Sequence, residues 1–315
     1  MGSETLPILR GAFETTGTPR FVMYTIQKLG LDQKHGFKLE IKYAVDQVQQ
    51  ALESVELALQ KGEADLIDID WISIARERAK GLPITSFFPY GQTIGSLIVP
   101  NGSPIHTLPD IRGKRIGVVR VHDKNWVITR AACRKLHRFD PQEEATAVEA
   151  LSKSRLNHAL EKGEVDGALL FWQYVPVFLF TGRYRKVVDM VELVQELAGT
   201  KERIPISAFV TREEVVEERP DLLRGFIGAF REVAGYMRRN DQIWEELGGT
   251  MMEGADPRLV HAIRDGWREM VMTEWDEETI RGIHRLFDEL LKVGGKEVLG
   301  VDHIPSGTFT TSLVS

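Results

Sequence analysis

Four short clusters combine ionisable, amide and aromatic side chains in ways that can grip a small molecule. They are Phe13-Glu14-Thr15, Asp70-Trp71 with Ser73 close behind, Arg120 with His122, Lys124, Asn125 and Trp126, and Trp172-Gln173-Tyr174. Indole faces suit a planar or apolar ligand body, and polar groups beside them fix its orientation. A tryptophan in such a place serves equally well as core. Asn125 and Thr18 stand where helices are expected to start, so backbone N–H groups there can hold a carboxylate, sulfonate or phosphate, and Arg120 and Lys124 add positive charge. Glu14, Asp70 and Asp123 bring negative charge to the same places, which keeps an amine or a ring-nitrogen heterocycle open as ligand. Asp123 also suits a helix cap, and Asp68, alternating with Ile67 and Ile69, suits a structural polar contact.

Covalent and acid–base chemistry find less support. Cys133 is the only cysteine, so no internal disulfide and no thiolate-rich metal site can form. It falls mid-helix after Ala131 and Ala132, where cysteine acts as a small buried hydrophobe rather than a nucleophile. His122 and Asp123 are adjacent on a loop, a poor geometry for one to orient the other. His35, His106 and His137 belong to helix ends or loops and read as solvated. No HExxH, Walker loop, GxSxG, CxxC or dinucleotide fingerprint occurs. The expectation is no catalytic residue, no metal and no cofactor.

The elements that must position these clusters come next. At 315 residues, 43% hydrophobic and 27% charged, the chain can bury two cores. Its net charge of −6 arises from intermixed charges without a basic stripe, which argues against nucleic acid. No apolar run suffices for membrane insertion. The first residues lack the form of a signal peptide. Met1-Gly2-Ser3 fits either a native start, implying a cytoplasmic protein, or a cloning remnant replacing an export signal, implying a periplasmic or extracytoplasmic one.

Residues 6–11 read as a strand, and Thr18-Pro19 opens a helix to about Lys34. FKLEIKY alternates as a strand, and a helix over Gln47–Lys61 presents Val48, Leu52, Val55 and Leu59 before ADLIDI enters as the next strand. A helix near 71–80 and strands PITSFF and GSLIVP complete this segment, and the pattern restarts with KRIGVV, a helix over Lys124–Arg138, a strand near 144–148 and VDGALLF. ALQKGEADLIDID and ALEKGEVDGALLF agree at six of their first eight positions, so the same helix–Gly–strand corner is expected in two similar α/β units. From about residue 211 the chain reads as helices: Thr211 with Glu214 fits a capping box, Pro220 opens a long helix, and others follow near 241–247, 257–271 and 276–292.

The segments FVMYTIQKLGLDQKHGFKLEI, ALQKGEADLIDID, GLPI, SPIHTLPDIRGKRIGV, ALEKGEVDGALLF and EERPDLLRGFIGAFREVAGYM, in this order, resemble the substrate-binding proteins of ABC importers. The similarity is to the branch handling nitrate, sulfonates, taurine and thiamine-pyrimidine precursors. It implies a two-lobed α/β, type II periplasmic-binding-protein fold with a helical C-terminal segment on lobe 1. Lobe 1 would comprise residues 1–100 and 206–315, and lobe 2 residues 101–205. It further implies a receptor that closes by a hinge on a sulfonate, carboxylate or heterocycle, partnered by a permease and monomeric. Ligands of open α/β sheets sit beyond the carboxyl ends of the strands, which selects the four clusters above. Some relatives of this branch are enzymes, among them a sulfinate desulfinase with a cysteine nucleophile and a pyrimidine synthase with a cysteine-rich motif. Neither signature is present, and an enzyme on this scaffold is the alternative.

Overall fold

The computed structural model describes residues 6–45, 51–252 and 254–314. The expected helix start at Gln47 and Val48, like Met1-Gly2-Ser3, lies outside them. Ten strands run along the described chain: β1 (Ile8–Glu14), β2 (Lys38–Ala44), β3 (Ile67–Asp70), β4 (Ile84–Gly91), β5 (Ser96–Pro100), β6 (Arg115–Val118), β7 (Thr146–Glu149), β8 (Gly167–Leu170), β9 (Tyr184–Asp189) and β10 (Ser207–Arg212).

The chain divides into two units. Unit 1 holds Met1–Gly91, Ser207–Glu278 and Pro305–Ser315, and unit 2 holds Gln92–Ile206 and Thr279–Ile304. In unit 1, β1 pairs parallel with β2, a bridge from Gly11 to Leu66 joins β1 to β3, and β10 runs antiparallel between β3 and β4. In unit 2 the order is β7-β6-β8-β5-β9, with β6 parallel to β7 and β8, and β5 antiparallel to β8 and β9. Each sheet therefore repeats one plan: second, first and third strand, an antiparallel strand, then the fourth. The antiparallel member is in each case delivered by the chain as it arrives from the other unit. Parallel neighbours need crossover helices, which accounts for the helices Ala51–Gln60 and Lys153–Glu161 between them.

The repeated sequence corner has a specific structural job. Gly62 and Gly163 both adopt left-handed φ, 72° and 69°, and end their helices. Ala64 and Glu164 then return hydrogen bonds to the carbonyls of Ala58 and Ala159, at 3.0 and 2.9 Å. The aspartate that follows clamps the first strand of its sheet: Asp65 exchanges backbone and side-chain bonds with Arg10, and Asp166 does the same with Arg115. One corner thus sets the register of third strand on first strand in both units, and so determines which residues emerge at the carboxyl ends.

Unit 1 is built on an edge-to-face aromatic cluster joining β4, β10 and the helix Pro220–Arg239. Phe209 lies 4.9 Å from Phe226 and 5.0 Å from Phe230, and Phe88 and Tyr90 close the cluster. Its C-terminal tail pairs with β4, as Ser86 donates to Thr308 O and accepts from Thr310 N, both at 2.9 Å. Unit 2 buries Ile98, Leu156, Leu160, Val165, Leu170 and Phe178 around its own sheet.

Several expectations are revised. The C-terminal helices do not all stay on lobe 1. The helix Glu277–Leu299 passes into unit 2, where Lys135 meets Glu289 at 2.8 Å, Arg130 meets Glu297 at 2.8 Å and Arg285 meets Glu202 at 2.9 Å. Its amphipathic pattern reveals a face to bury, but not which surface covers it. The strand GSLIVP, placed in lobe 1 by its sequence position, is β5 of the unit 2 sheet. The helix from Thr18 stops at Lys28, because left-handed Gly30 breaks it before Leu31–Lys34. Thr211 is no cap; its hydroxyl donates to Asp65 O at 2.7 Å from within β10. Strand β9 and the helix Met190–Ala198 escaped the sequence reading, because Tyr184–Asp189 carries four charged or polar residues in six.

Candidate functional site

Strand order 2-1-3 creates a switch point between the first and third strands of each sheet, beyond their carboxyl ends. In unit 1 these ends are Glu14 and Asp70; in unit 2 they are Val118 and Leu170. All thirteen candidate residues lie at or just beyond these four ends, yet their surroundings differ sharply.

In unit 1, Phe13 is fully buried on β1, in register with Tyr43 of β2. Glu14, Thr15 and Thr16 are partly exposed in the turn that follows, which Arg20 braces by donating to Thr15 O at 2.7 Å. Thr18 opens the next helix, but its hydroxyl receives the Tyr90 phenol at 2.9 Å instead of capping. Burial pushes that phenol far above its usual range, so it stays a neutral donor. Asp70 is the cap of the helix Trp71–Ala79: its two carboxylate oxygens accept from the N–H and the hydroxyl of Ser73, at 2.9 and 3.0 Å. Trp71, on the first turn, is 1% exposed.

In unit 2 the loop after β6 carries Arg120, partly exposed, and His122, exposed. Asp123 caps the helix Lys124–Ala132 by accepting from Asn125 N at 2.8 Å. Trp126 is fully buried, and its indole N–H donates to Gln142 at 2.8 Å, so it anchors its own helix to the following segment. Lys124 is nearly buried, with its ammonium 5.1 Å from the Phe171 ring; Lys153 stands at the same distance from that ring. After β8, Trp172 and Tyr174 are partly exposed and Gln173 is buried. The matched positions Trp71 and Trp172 therefore differ, the first enclosed and the second open on part of its surface.

Two features of unit 2 were invisible as motifs. The segment Gln92–Gly95, of which the sequence reading covered only Gly95 as the start of the strand GSLIVP, runs against the end of β8: a Cβ at Gly95 would overlap the Leu170 carbonyl oxygen. Gly95 N donates to Asn125 Oδ1 at 3.4 Å, and Gly95 O accepts from Met190 N at 2.9 Å. The side-chain nitrogens of Gln92 and Asn125 are buried without a hydrogen-bond partner. Leu151, in the loop after β7, takes a left-handed φ of 65°, a strained state for a leucine, and its N–H bonds to Val119 O beside the β6 loop. Glycines bracketing a polar pair in GQTIG are the one sequence signal that could have pointed here.

Cys133 is buried, and burial raises its thiol well above the usual range, so no thiolate nucleophile is present. Among the described residues no cluster of three or more His, Cys, Asp or Glu side chains could hold a metal ion, and no helix is long and apolar enough to cross a membrane. The strand ends of the two units, each taken by itself, carry amide and ammonium groups, helix starts and partly exposed aromatic rings.

The fold is that of known binding proteins. The alkanesulfonate-binding protein SsuA from Xanthomonas axonopodis pv. citri, bound to MOPS, superimposes with a TM-score of 0.75 at 15% identity, covering 98% of this chain and 100% of that one. The periplasmic aliphatic sulphonate binding protein SsuA from Escherichia coli gives 0.69 at 17% identity over 96% and 93% of the two chains. A Candida albicans protein described as exhibiting the generic periplasmic binding protein structural fold gives 0.66 at 14% identity over 93% and 94%. No curated protein matches the sequence. The family model described as NMT1/THI5 like matches residues 21–242, from β2 through β10 with β1 lying before it, and so the chain belongs to the NMT1/THI5-like family.

Proposed function

We propose that this protein is a solute-binding receptor of an ABC importer, which captures a small organic ligand and reports it by hinge closure; the chain passes between the units at Gly91–Gln92, Ile206–Ser207, Glu278–Thr279 and Ile304–Pro305. The observation that carries this reading is the doubled sheet plan, with polar and aromatic side chains gathered at the carboxyl ends of both switch points. A ligand that binds one conformation better than another shifts the equilibrium between them by that difference in affinity. Sulfonates, carboxylates and heterocycles are the ligand classes to test, because the site offers donors and partly exposed aromatic faces. A periplasmic or extracytoplasmic location, a monomeric state and a membrane permease as partner follow from the same reading.

The test is a thermal-shift screen of sulfonates, aromatic acids, pyrimidines and polyamines, followed by mass spectrometry of recovered ligand. The receptor reading expects a hit recovered unchanged. Conversion of the hit to product would instead establish an enzyme on this scaffold, and the absence of any hit would overturn the binding role.

A further inference from the structure

Strand β4 is an edge strand that carries none of the charge that usually protects one. Sheet edges avoid pairing with other chains by bearing charged side chains or by being covered. The edges β2, β7 and β9 bear charge: Lys38, Glu40 and Lys42 on the first, Glu149 on the second, and Arg185, Lys186 and Asp189 on the third. β4 reads ITSFFPYG, and all eight of its residues are buried. Val271 bridges to its last residue, Gly91, and a strap formed by residues 305–313 covers its start.

The strap is held by a small set of specific contacts. Ser86 N donates to Thr308 O and Thr310 N donates to Ser86 O, both at 2.9 Å, so that Ser86 pairs with the strap as with a neighbouring strand. Trp275, 2% exposed, donates its indole N–H to Thr310 O at 2.8 Å and meets Phe309 edge to face at 6.0 Å. Arg78 donates to Ser306 O at 2.9 Å and to Ile84 O, at the head of β4, at 2.7 Å. Thr308 and Leu313 are buried, and Gly307, with a left-handed φ of 79°, brings the backbone close to Arg78. All of these residues belong to unit 1. Together they read the strap's backbone and one aromatic ring, which is how a sheet edge recognises an extended peptide.

The chain reaches the strap from the helix Glu277–Leu299 through residues 300–304, of which Asp302 and His303 are exposed. A short tether holds a bound segment at an effective concentration on the order of millimolar, and at almost none once it cannot span the distance. The strap of a second copy offers the same residues to the same edge. An exchange therefore reproduces every contact and differs from the closed monomer only in the tether.

We propose that the β4 edge, with Arg78 and Trp275, is a recognition site for this strap from its own chain or from a second copy, and that two copies of the protein dimerise by exchanging straps. This goes beyond the receptor reading and does not rest on it. The monomer is the resting form, and exchange is the form that high concentration or a shortened tether selects.

The test is light scattering of the full chain from micromolar to millimolar concentration, beside a variant lacking Asp302 and His303, whose tether is shorter by up to about 7 Å. The parent is expected to be monomeric at micromolar concentration. The shortened chain is expected to dimerise at least tenfold more tightly, with its Thr310 amide as protected from hydrogen exchange as the parent's. Adding Thr310→Pro, which removes the N–H given to Ser86, is expected to return the shortened chain to a monomer. A shortened chain that stays monomeric would overturn the exchange, and so would a dimer that survives Thr310→Pro, since β4 edges would then be pairing with each other. On the unaltered parent, a labelled peptide of residues 305–314 is expected to bind saturably, and the same peptide with Thr310→Pro is not. Absence of binding by the first peptide, or equal binding by both, would overturn the site even where the shortened chain fails to fold.

Discussion

At the residue scale, the buried carboxylates that look available for chemistry turn out to hold the frame. Asp65 is 1% exposed on its side chain and faces Arg10 at 3.0 Å, Arg219 at 3.4 Å and Arg212 at 3.7 Å. Burial alone would raise its pKa, but the bonds and charge from Arg10, with Arg219 behind it, hold it below the usual carboxylate range. A group with a depressed folded pKa contributes stability above its unfolded pKa and loses it as pH falls through the folded value. Asp65→Asn is therefore expected to cost about 1.5–3 kcal/mol at neutral pH, by replacing charge-assisted bonds and leaving three arginines, of which Arg10 is half exposed, around a neutral amide. The difference from the parent should shrink below roughly pH 4, and urea unfolding at pH 7 and pH 3 measures both. Asp70 was legible in the sequence as a polar group at a strand end; that both its oxygens would be used by Ser73 was not, because a cap and a ligand contact need the same residue types.

At the element scale, close approach and ion pairing decide what the helices and crossing segments do. Gly95 lies against the Leu170 carbonyl, so Gly95→Ala must displace either the crossing segment or the end of β8. The expected result is a lower melting temperature together with weaker ligand binding, since Asn125 loses its Gly95 partner; a differential scanning measurement and a titration check the two parts. In the helix Lys124–Ala132, Arg130 binds Asp140 at 2.6 Å with both side chains almost fully buried, and Arg134 adds a second bond to the same carboxylate. Glu297, 69% exposed, reaches the same arginines from the last long helix. Asp140→Asn is expected to destabilise by about 3–5 kcal/mol because it strands buried charge. Glu297→Gln should cost no more than about 1 kcal/mol, as exposed pairs do. Equal losses in chemical denaturation would contradict this account. Helix amphipathicity was plain in the sequence, but the partner of the final helix was not: Leu286 and Leu290 are fully buried, and an apolar face asks only for apolar cover.

At the whole-molecule scale, the proposed receptor role predicts a ligand-dependent response. A ligand specific for the folded chain at about 100 times its Kd should add about 2.7 kcal/mol to stability, and hinge closure should lower the radius of gyration in solution scattering. A melting rise without any change in scattering would favour a site confined to one unit.

The sequence by itself determined the alternation of strands and helices, the repeated corner and the four clusters at the strand ends, because helix stops, strand periodicity and cap residues are local properties. The tertiary structure alone decided that β5 joins the second sheet, that the final helix crosses to unit 2, that Trp71 and Trp126 are enclosed while Trp172 is partly open, and that the side-chain nitrogens of Gln92 and Asn125 are buried without a hydrogen-bond partner. Those outcomes depend on which distant surfaces meet. Hydrophobic burial is non-directional and is satisfied by any apolar partner, so the pattern along a chain cannot name the one it will find.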